Sequence, residues 1–158
     1  FLLGEVLQRI HQRSFAAILH DELFVPCGMD ETRIVLESDE WPTYESRLAP
    51  LWERMQGELQ LTDWHRPPRL TQPSPGSSTR GPIRDLATFY EMLLADGAGR
   101  HGPVLQPATV HQMITRQRVG QFDQTLGHIV DFGLGVIVNS NRYGPDTVPY
   151  GYGRFASE

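Results

Sequence analysis

The chain contains no lysine. All 14 of its basic residues are arginines, so nothing that needs a Schiff-base amine, a phosphate-loop lysine or a lysine general base can be completed within it. Cysteine is nearly absent as well. Cys27 stands alone; it cannot close an internal disulfide, and no cysteine cluster exists to hold zinc. No apolar run approaches the roughly 18 residues of a membrane span. Positive charge is in deficit, 14 basic against 19 acidic residues for a net −5. With no basic stripe to displace counterions from phosphates, a nucleic-acid partner is not expected. Glu5 and Arg9 interrupt the apolar opening, so those residues do not read as an export leader. The compartment stays open.

What is present is ordinary for a folded protein. The 158 residues are 39% hydrophobic and 21% charged, about one domain's worth of chain. A protein of this size buries roughly 68–70% of its unfolded surface, enough for a real core. Fifteen glycines and 12 prolines predict many turns. Both ends read as cuts through a larger fold, because Phe1 falls inside an apolar helical pattern and Glu158 follows a turn-rich run without a stop signal.

Leu3, Val6, Leu7 and Ile10 form an i, i+3, i+4, i+7 face, which predicts a first helix. Ser14 is placed to cap a second, with Phe15, Ile18, Leu19 and Leu23 on one side, ended by Pro26 and Gly28. Residues 30–81 read as a long irregular loop region, with one short helix over Arg47–Met55; such stretches more often wrap a site than form a core. Trp41, Trp52 and Trp64 are spaced through it. Between Gly81 and Gly97 the pattern predicts a helix begun by Pro82, with Asp85 near its positive end and Ile83, Leu86, Tyr90, Leu93 and Leu94 facing inward. A short helix starts near Pro107 with Val110, Met113 and Ile114 inward. Phe132–Asn139 reads as a buried strand.

Constellations that would carry chemistry read as ordinary structure. Six histidines (His11, His20, His65, His101, His111 and His128) never pair at i+4 and match no H-E-x-x-H or facial-triad spacing, so they read as surface or capping residues. Gly76–Gly81, GSSTRG, resembles a phosphate loop but lacks the lysine and a preceding strand. No G-x-S-x-G elbow is present. Tyr44-Glu45-Ser46 has the spacing of a Tyr-x-Ser proton-transfer pair, yet it follows Pro42 and reads as an exposed turn. Cys27 sits after a helix C-terminus, the wrong pole for making a thiolate.

Three blocks nevertheless share one pattern. The first runs through two predicted helices to Pro26, Cys27, Gly28, Met29 and Thr32, a P-L-G-M-x-x-T pattern with Cys in place of Leu. The second is GSSTRGPIRDLATFYEMLLADG followed by VLQPATVHQM, with Gln106 where a capping Ser is usual. The third is FGLGVIV. In this order they resemble the β-lactamase-related serine hydrolases, which include class C β-lactamases, D-Ala-D-Ala peptidases and esterases; the likeness is weaker over residues 33–70.

The resemblance implies a chain that is mainly α with a minor β part. It would be a fragment of the α/β β-lactamase/transpeptidase-like fold, holding most of the helical domain plus the strand leading to the last active-site strand. Residues 1–158 would then be a partial domain cut at both ends, with 30–81 as the long loop region inside it. The implied chemistry is acyl transfer to a serine in S-x-x-K, with a Y-x-N (or S-x-N) loop shuttling the proton and a K/H-x-G strand orienting the substrate. None of the three motifs is in this chain. The turn at Tyr150–Ser157 resembles one that shortly precedes the H-x-G strand. No catalytic, cofactor-binding or metal-binding residue is therefore assigned, no cofactor is implied, and the chain alone is expected to be inactive. Its partner would be a small-molecule or peptide substrate bound by the full-length protein, with lactam, peptide and ester all open and the oligomeric state unreadable. Trp41, Trp52, Trp64 and the Ser77–Arg80 turn are candidates to line the cleft, against a purely structural role for the tryptophans. Two other readings stay open: a non-catalytic binding or interaction module that is a degenerate relative of the family, and a small helical domain unrelated to hydrolases.

Overall fold

The structure, a computed structural model, describes residues 2–64, 66 and 69–138. His65, Asn139 and the Tyr150–Ser157 turn lie outside the described residues. The chain divides into two compact units, Phe1–Met92 with Gly99–Val104, and Leu93–Ala98 with Leu105–Glu158.

Helix α1 spans Leu2–His11. Its predicted apolar face is not covered: Leu3 is 77% and Ile10 71% exposed. The residue it buries is Gly4, where any Cβ would meet the Pro75 ring and approach Phe15. The helix therefore approaches its neighbours on the side where it has no side chain.

The second predicted helix forms as α2 (Phe15–Leu19), a π-helical turn (His20–Phe24) and α3 (Val25–Cys27). Ser14 caps it as expected, its Oγ accepting from the Ala17 N–H at 3.2 Å. The end is a Schellman motif: Gly28 is left-handed at φ 74°, its N–H donates to the Val25 carbonyl, and the Met29 N–H reaches back to Phe24 at 2.8 Å. Glycine takes this backbone without a Cβ penalty. Phe15, Ile18, Phe24, Cys27 and Met29 are buried along it.

Within 30–81 the structure is more regular than the sequence suggests. The short helix lies earlier than predicted, as α4 (Trp41–Tyr44) and a 3₁₀ turn (Glu45–Arg47). Pro42, in its first turn, needs no amide partner there. Residues 52–55 are not helical. They form β1 (Trp52–Met55), paired antiparallel with β2 (Glu58–Leu61). Gln56 and Gly57 between them have φ of 52° and 92°, the type I′ geometry whose twist suits a two-residue hairpin.

Helix α5 (Ile83–Leu94) begins just after Pro82, but most of its predicted inward face points outward. Ile83 is 80% and Leu94 75% exposed, and Leu86 and Tyr90 are exposed too; Leu93 is buried as predicted. The buried stripe instead runs through Asp85, Thr88 and Met92, an i, i+3, i+7 row. The cause is a polar clamp. One Asp85 carboxylate oxygen accepts from the Thr32 hydroxyl at 2.9 Å and from the Glu31 N–H at 3.0 Å, and those bonds turn the helix toward the 30–33 loop. Gly81 completes the junction, since a Cβ there would collide with Thr32.

In the second unit α6 (Pro107–Ile114) forms with Val110 fully buried. Gln106 occupies the cap position without a side-chain bond to the helix. β3 (Phe122–Asp123) pairs with β4 (His128–Ile129). The predicted strand over 132–139 is interrupted. Asp131–Phe132 (β5) turns back onto Ile137–Val138 (β6) as an antiparallel pair, with Gly135 left-handed at φ 80°. Two glycines within four residues make the reversal accessible despite the β-branched composition. Asp131 anchors this hairpin: fully buried, it accepts from Arg116 Nε at 3.0 Å and from the Gly120 N–H at 2.9 Å.

Candidate functional site

Two adjoining clefts in the first unit are lined by Trp64 and by residues of the Ser77–Arg80 turn, and Arg80 lines both. The smaller, about 330 Å³, is walled by Trp64, Arg69, Gln72, Ser74, Ser77 and Ser78 together with Arg80. The larger, about 490 Å³, is bounded by Glu31, Arg33, Tyr44, Arg47, Thr79 and Pro82 among others.

The 74–80 turn is built from its own serines. The Ser77 and Ser78 N–H groups donate to the Ser74 carbonyl at 3.1 and 3.0 Å, and the Ser77 hydroxyl donates to the Ser74 hydroxyl at 3.0 Å. Ser74 N–H donates to the buried Ser78 hydroxyl, which in turn donates to the Gln72 carbonyl at 3.3 Å. These amides are spent within the turn, so it does not present them to a phosphate. None of these bonds reaches an imidazole or a carboxylate, so none of them pairs the serines with a general base. Beyond the turn, Arg80 and Arg33 exchange backbone hydrogen bonds at 2.8 Å in both directions, which ties the two clefts together.

Arg80 is also the strut under Trp64. Its guanidinium donates to the Ser78 carbonyl at 2.6 Å and to the Trp64 carbonyl at 3.0 Å, and burial pulls its pKa below the usual value. Arg69 stacks over the Trp64 indole at 4.6 Å from the ring centroid, a cation–π contact that holds the ring's plane. In the larger cleft Arg47 lies 5.2 Å over the Tyr44 ring and pairs with Glu31. That guanidinium, by hydrogen bond first and charge second, holds the Glu31 carboxyl below the usual carboxylate range. Arg33 donates to the Asp30 and Thr32 carbonyls at 2.7 and 2.9 Å. Three guanidinium groups against one carboxylate make the walls cationic.

Of the predicted tryptophans, Trp64 joins the Ser77–Arg80 turn at the smaller cleft. Trp52 stands 53% exposed on β1 and Trp41 begins α4. Tyr44 lines the larger cleft, whereas Ser46 is exposed. The described histidines are dispersed: His20 meets Asp21 at 2.6 Å, His111 lies 3.3 Å from Asp96, and the His101 N–H donates to the Pro26 carbonyl. Among the described residues no group of three or more His, Cys, Asp or Glu could hold a metal ion. Cys27 is fully buried, and burial pushes its thiol up, the opposite of an activated nucleophile. Among the described residues no helix is long and apolar enough to cross a membrane. Sequence reasoning missed Glu31, Arg33, Arg47 and Arg69. The Tyr44–Arg47 spacing of three was a local signal for one of them; the Arg33–Arg80 link joins positions 47 apart and had none.

Among the described residues the two clefts are walled by arginines, the Tyr44 and Trp64 rings and a serine-rich turn. The family model described as Beta-lactamase matches residues 1–155. The chain belongs to the β-lactamase family. Solved structures agree on the fold. A family VIII carboxylesterase is 22% identical with a TM-score of 0.65, the match covering 91% of this chain and 42% of that one. The octameric penicillin-binding protein homologue of Pyrococcus abyssi is 15% identical at TM-score 0.62, covering 86% of this chain and 28% of its own. Simvastatin synthase, LovD, of Aspergillus terreus is 19% identical at 0.63, covering 85% and 36%. No curated protein sequence matches significantly. The chain spans less than half the length of each of these structures. It corresponds to a fragment of the β-lactamase/transpeptidase-like fold, helix-rich with small sheets.

Proposed function

We propose that these residues are the ligand-holding part of a serine acyl-transfer enzyme whose reacting groups come from outside them. The observation that carries this reading is the Beta-lactamase family match across residues 1–155 in a chain with no lysine. In the reaction, a serine oxygen attacks the substrate carbonyl as its proton passes to the lysine–tyrosine pair. The leaving group departs carrying a proton, and water then releases the acyl group. This chain's share is to shape the cleft around the substrate through Trp64, the Ser77–Arg80 turn and the cationic wall of Arg33, Arg47 and Arg80. Lactams, peptides and esters are all within the class.

The uncovered faces of α1 and α5 support the same reading. Leu3, Ile10, Ile83 and Leu94 are each more than 70% exposed, and an amphipathic helix gains its stability from covering such a stripe. In this reading further parts of the same domain cover them.

The test compares the complete polypeptide in which these residues occur with the isolated 158-residue chain. With nitrocefin and p-nitrophenyl esters, turnover is expected from the former and nothing above a blank from the latter. Turnover by the isolated chain, or none by the complete polypeptide with any acyl substrate, contradicts the proposal. Trp64→Ala in the complete polypeptide is expected to change the ratio of kcat/KM between a bulky and a small ester by about fivefold, a loss on the order of 1 kcal/mol of differential binding. A lowered unfolding midpoint with an unchanged ratio assigns Trp64 to structure alone.

A further inference from the structure

Trp64 stands 40% exposed at the smaller cleft, on a loop that bonds mostly to itself. The Arg66 N–H donates to the Asp63 carbonyl at 3.0 Å, and the Arg69 N–H donates to the Arg66 carbonyl at 3.1 Å. The Arg69 guanidinium lies 3.7 Å from the Asp63 carboxylate as well as over the Trp64 ring. Indole, guanidinium and turn therefore form one piece. Its ends are pinned by the Thr62 N–H on the Leu51 carbonyl at 2.9 Å and by the Leu36 N–H on the Leu70 carbonyl at 3.0 Å. Between those pins, among the described residues, the bond that ties the piece to the Ser77–Arg80 turn runs from Arg80 to the Trp64 carbonyl at 3.0 Å, across 16 positions of sequence.

We infer that Arg80 is a positioning residue for substrate selection, acting through Trp64 by fixing how the indole stands at the smaller cleft. The inference rests on the reading that these clefts hold an acyl substrate. Three observations support it. One terminal nitrogen of the guanidinium donates to the Ser78 carbonyl at 2.6 Å and the other to the Trp64 carbonyl, so the fork spans from its own turn to the Trp64 loop. The root of the side chain is fixed too. Arg80 and Arg33 exchange main-chain bonds at 2.8 Å, and Ser78 is buried with its hydroxyl on the Gln72 carbonyl. Lastly, both terminal nitrogens of Arg80 are turned to main-chain carbonyls, whereas Arg47 in the larger cleft pairs with a carboxylate. A planar guanidinium holds two carbonyls on separate nitrogens; a lysine ammonium, a single point of charge, does not reproduce that span. The role therefore depends on the shape of the group, not on its charge.

The test uses the complete polypeptide, with p-nitrophenyl acetate as the small ester and p-nitrophenyl phenylacetate as the bulky one. Arg80→Lys keeps the positive charge and the main-chain pairing with Arg33 while removing the fork. It is expected to shift the ratio of kcat/KM between the two esters by about threefold, the change falling on KM more than on kcat. A general loss of folded protein lowers both activities alike and leaves that ratio where it was. Added to Trp64→Ala, Arg80→Lys should shift the ratio no further, because its effect passes through the indole. Arg80→Gln, shorter and uncharged, is read in the same way should the lysine variant fail to fold. An unchanged ratio in Arg80→Lys beside a changed one in Trp64→Ala overturns the inference alone. So does a further shift in the double variant, which would mean that Arg80 meets the substrate itself. No turnover of either ester, or an unchanged ratio in Trp64→Ala, removes the cleft's part in ester selection and the inference with it.

Discussion

Asp85→Ala is expected to lower folding stability by about 3 kcal/mol, because it leaves two donors without an acceptor in a buried place. The carboxylate is only 4% exposed and receives both the Thr32 hydroxyl and the Glu31 N–H. Hydrogen bonds to an ionised acceptor are worth more than neutral ones, and the Thr32 side chain, 2% exposed, has no water to turn to. Urea unfolding of the complete polypeptide reads the effect as a shifted midpoint at constant slope. Thr32→Val tests the mechanism. Combined with Asp85→Ala it should cost clearly less than the sum of the two, since each removes the other's partner. Additive losses would mean that the two residues act through separate contacts. Because Glu31, Gly81 and Pro82 all border the larger cleft, substrate KM should rise with the same substitution.

Asp131→Ala carries the other large effect, about 3–5 kcal/mol, the range for stripping one partner from a buried ion pair. Asp131 is fully buried and holds Arg116 at 3.0 Å and the Gly120 N–H at 2.9 Å. Arg116 keeps 21% of its side chain exposed, so it can swing partly into water, which moves the expected loss toward the lower end. Asp131→Asn separates the two roles. It retains an acceptor for Gly120 while removing the charge facing Arg116, and should recover about half of the loss. Hydrogen exchange at the Gly120 amide should accelerate in the alanine variant and stay slow in the asparagine variant. Equal exchange in both would show that this bond is not what fixes the loop.

The contrast between these two anchors and the helix caps explains how far the sequence could be read. Ser14, Pro26, Gly28 and Pro107 act on backbone groups within five residues of themselves, so the α2–α3 run and the start of α6 were legible at once. The orientation of α5 was not. Its pattern of Ile83, Leu86, Tyr90 and Leu94 pointed inward by periodicity, but Asp85 bonds to a residue 53 positions away, and no local rule anticipates that. Hairpin β1–β2 was hidden by its turn, because Gln-Gly is a weaker type I′ signal than Asn-Gly. The break between β5 and β6 was masked by β-branched composition around Gly133 and Gly135. At the clefts, Trp64 and the Ser77–Arg80 turn were read as cleft-lining candidates from their place in a long loop. The arginines were not, since guanidinium groups reach their partners through long side chains that sequence spacing does not constrain.

In the proposed reading, the acyl chemistry uses a nucleophile outside these residues and a wall supplied by them. The most direct measurement is peptide mapping by mass spectrometry after labelling the complete polypeptide with a serine-directed fluorophosphonate. One modified serine is expected, in a peptide outside residues 1–158 and four residues counting inclusively from a lysine in S-x-x-K. Modification of a serine within the chain, such as Ser74, Ser77 or Ser78, would contradict it.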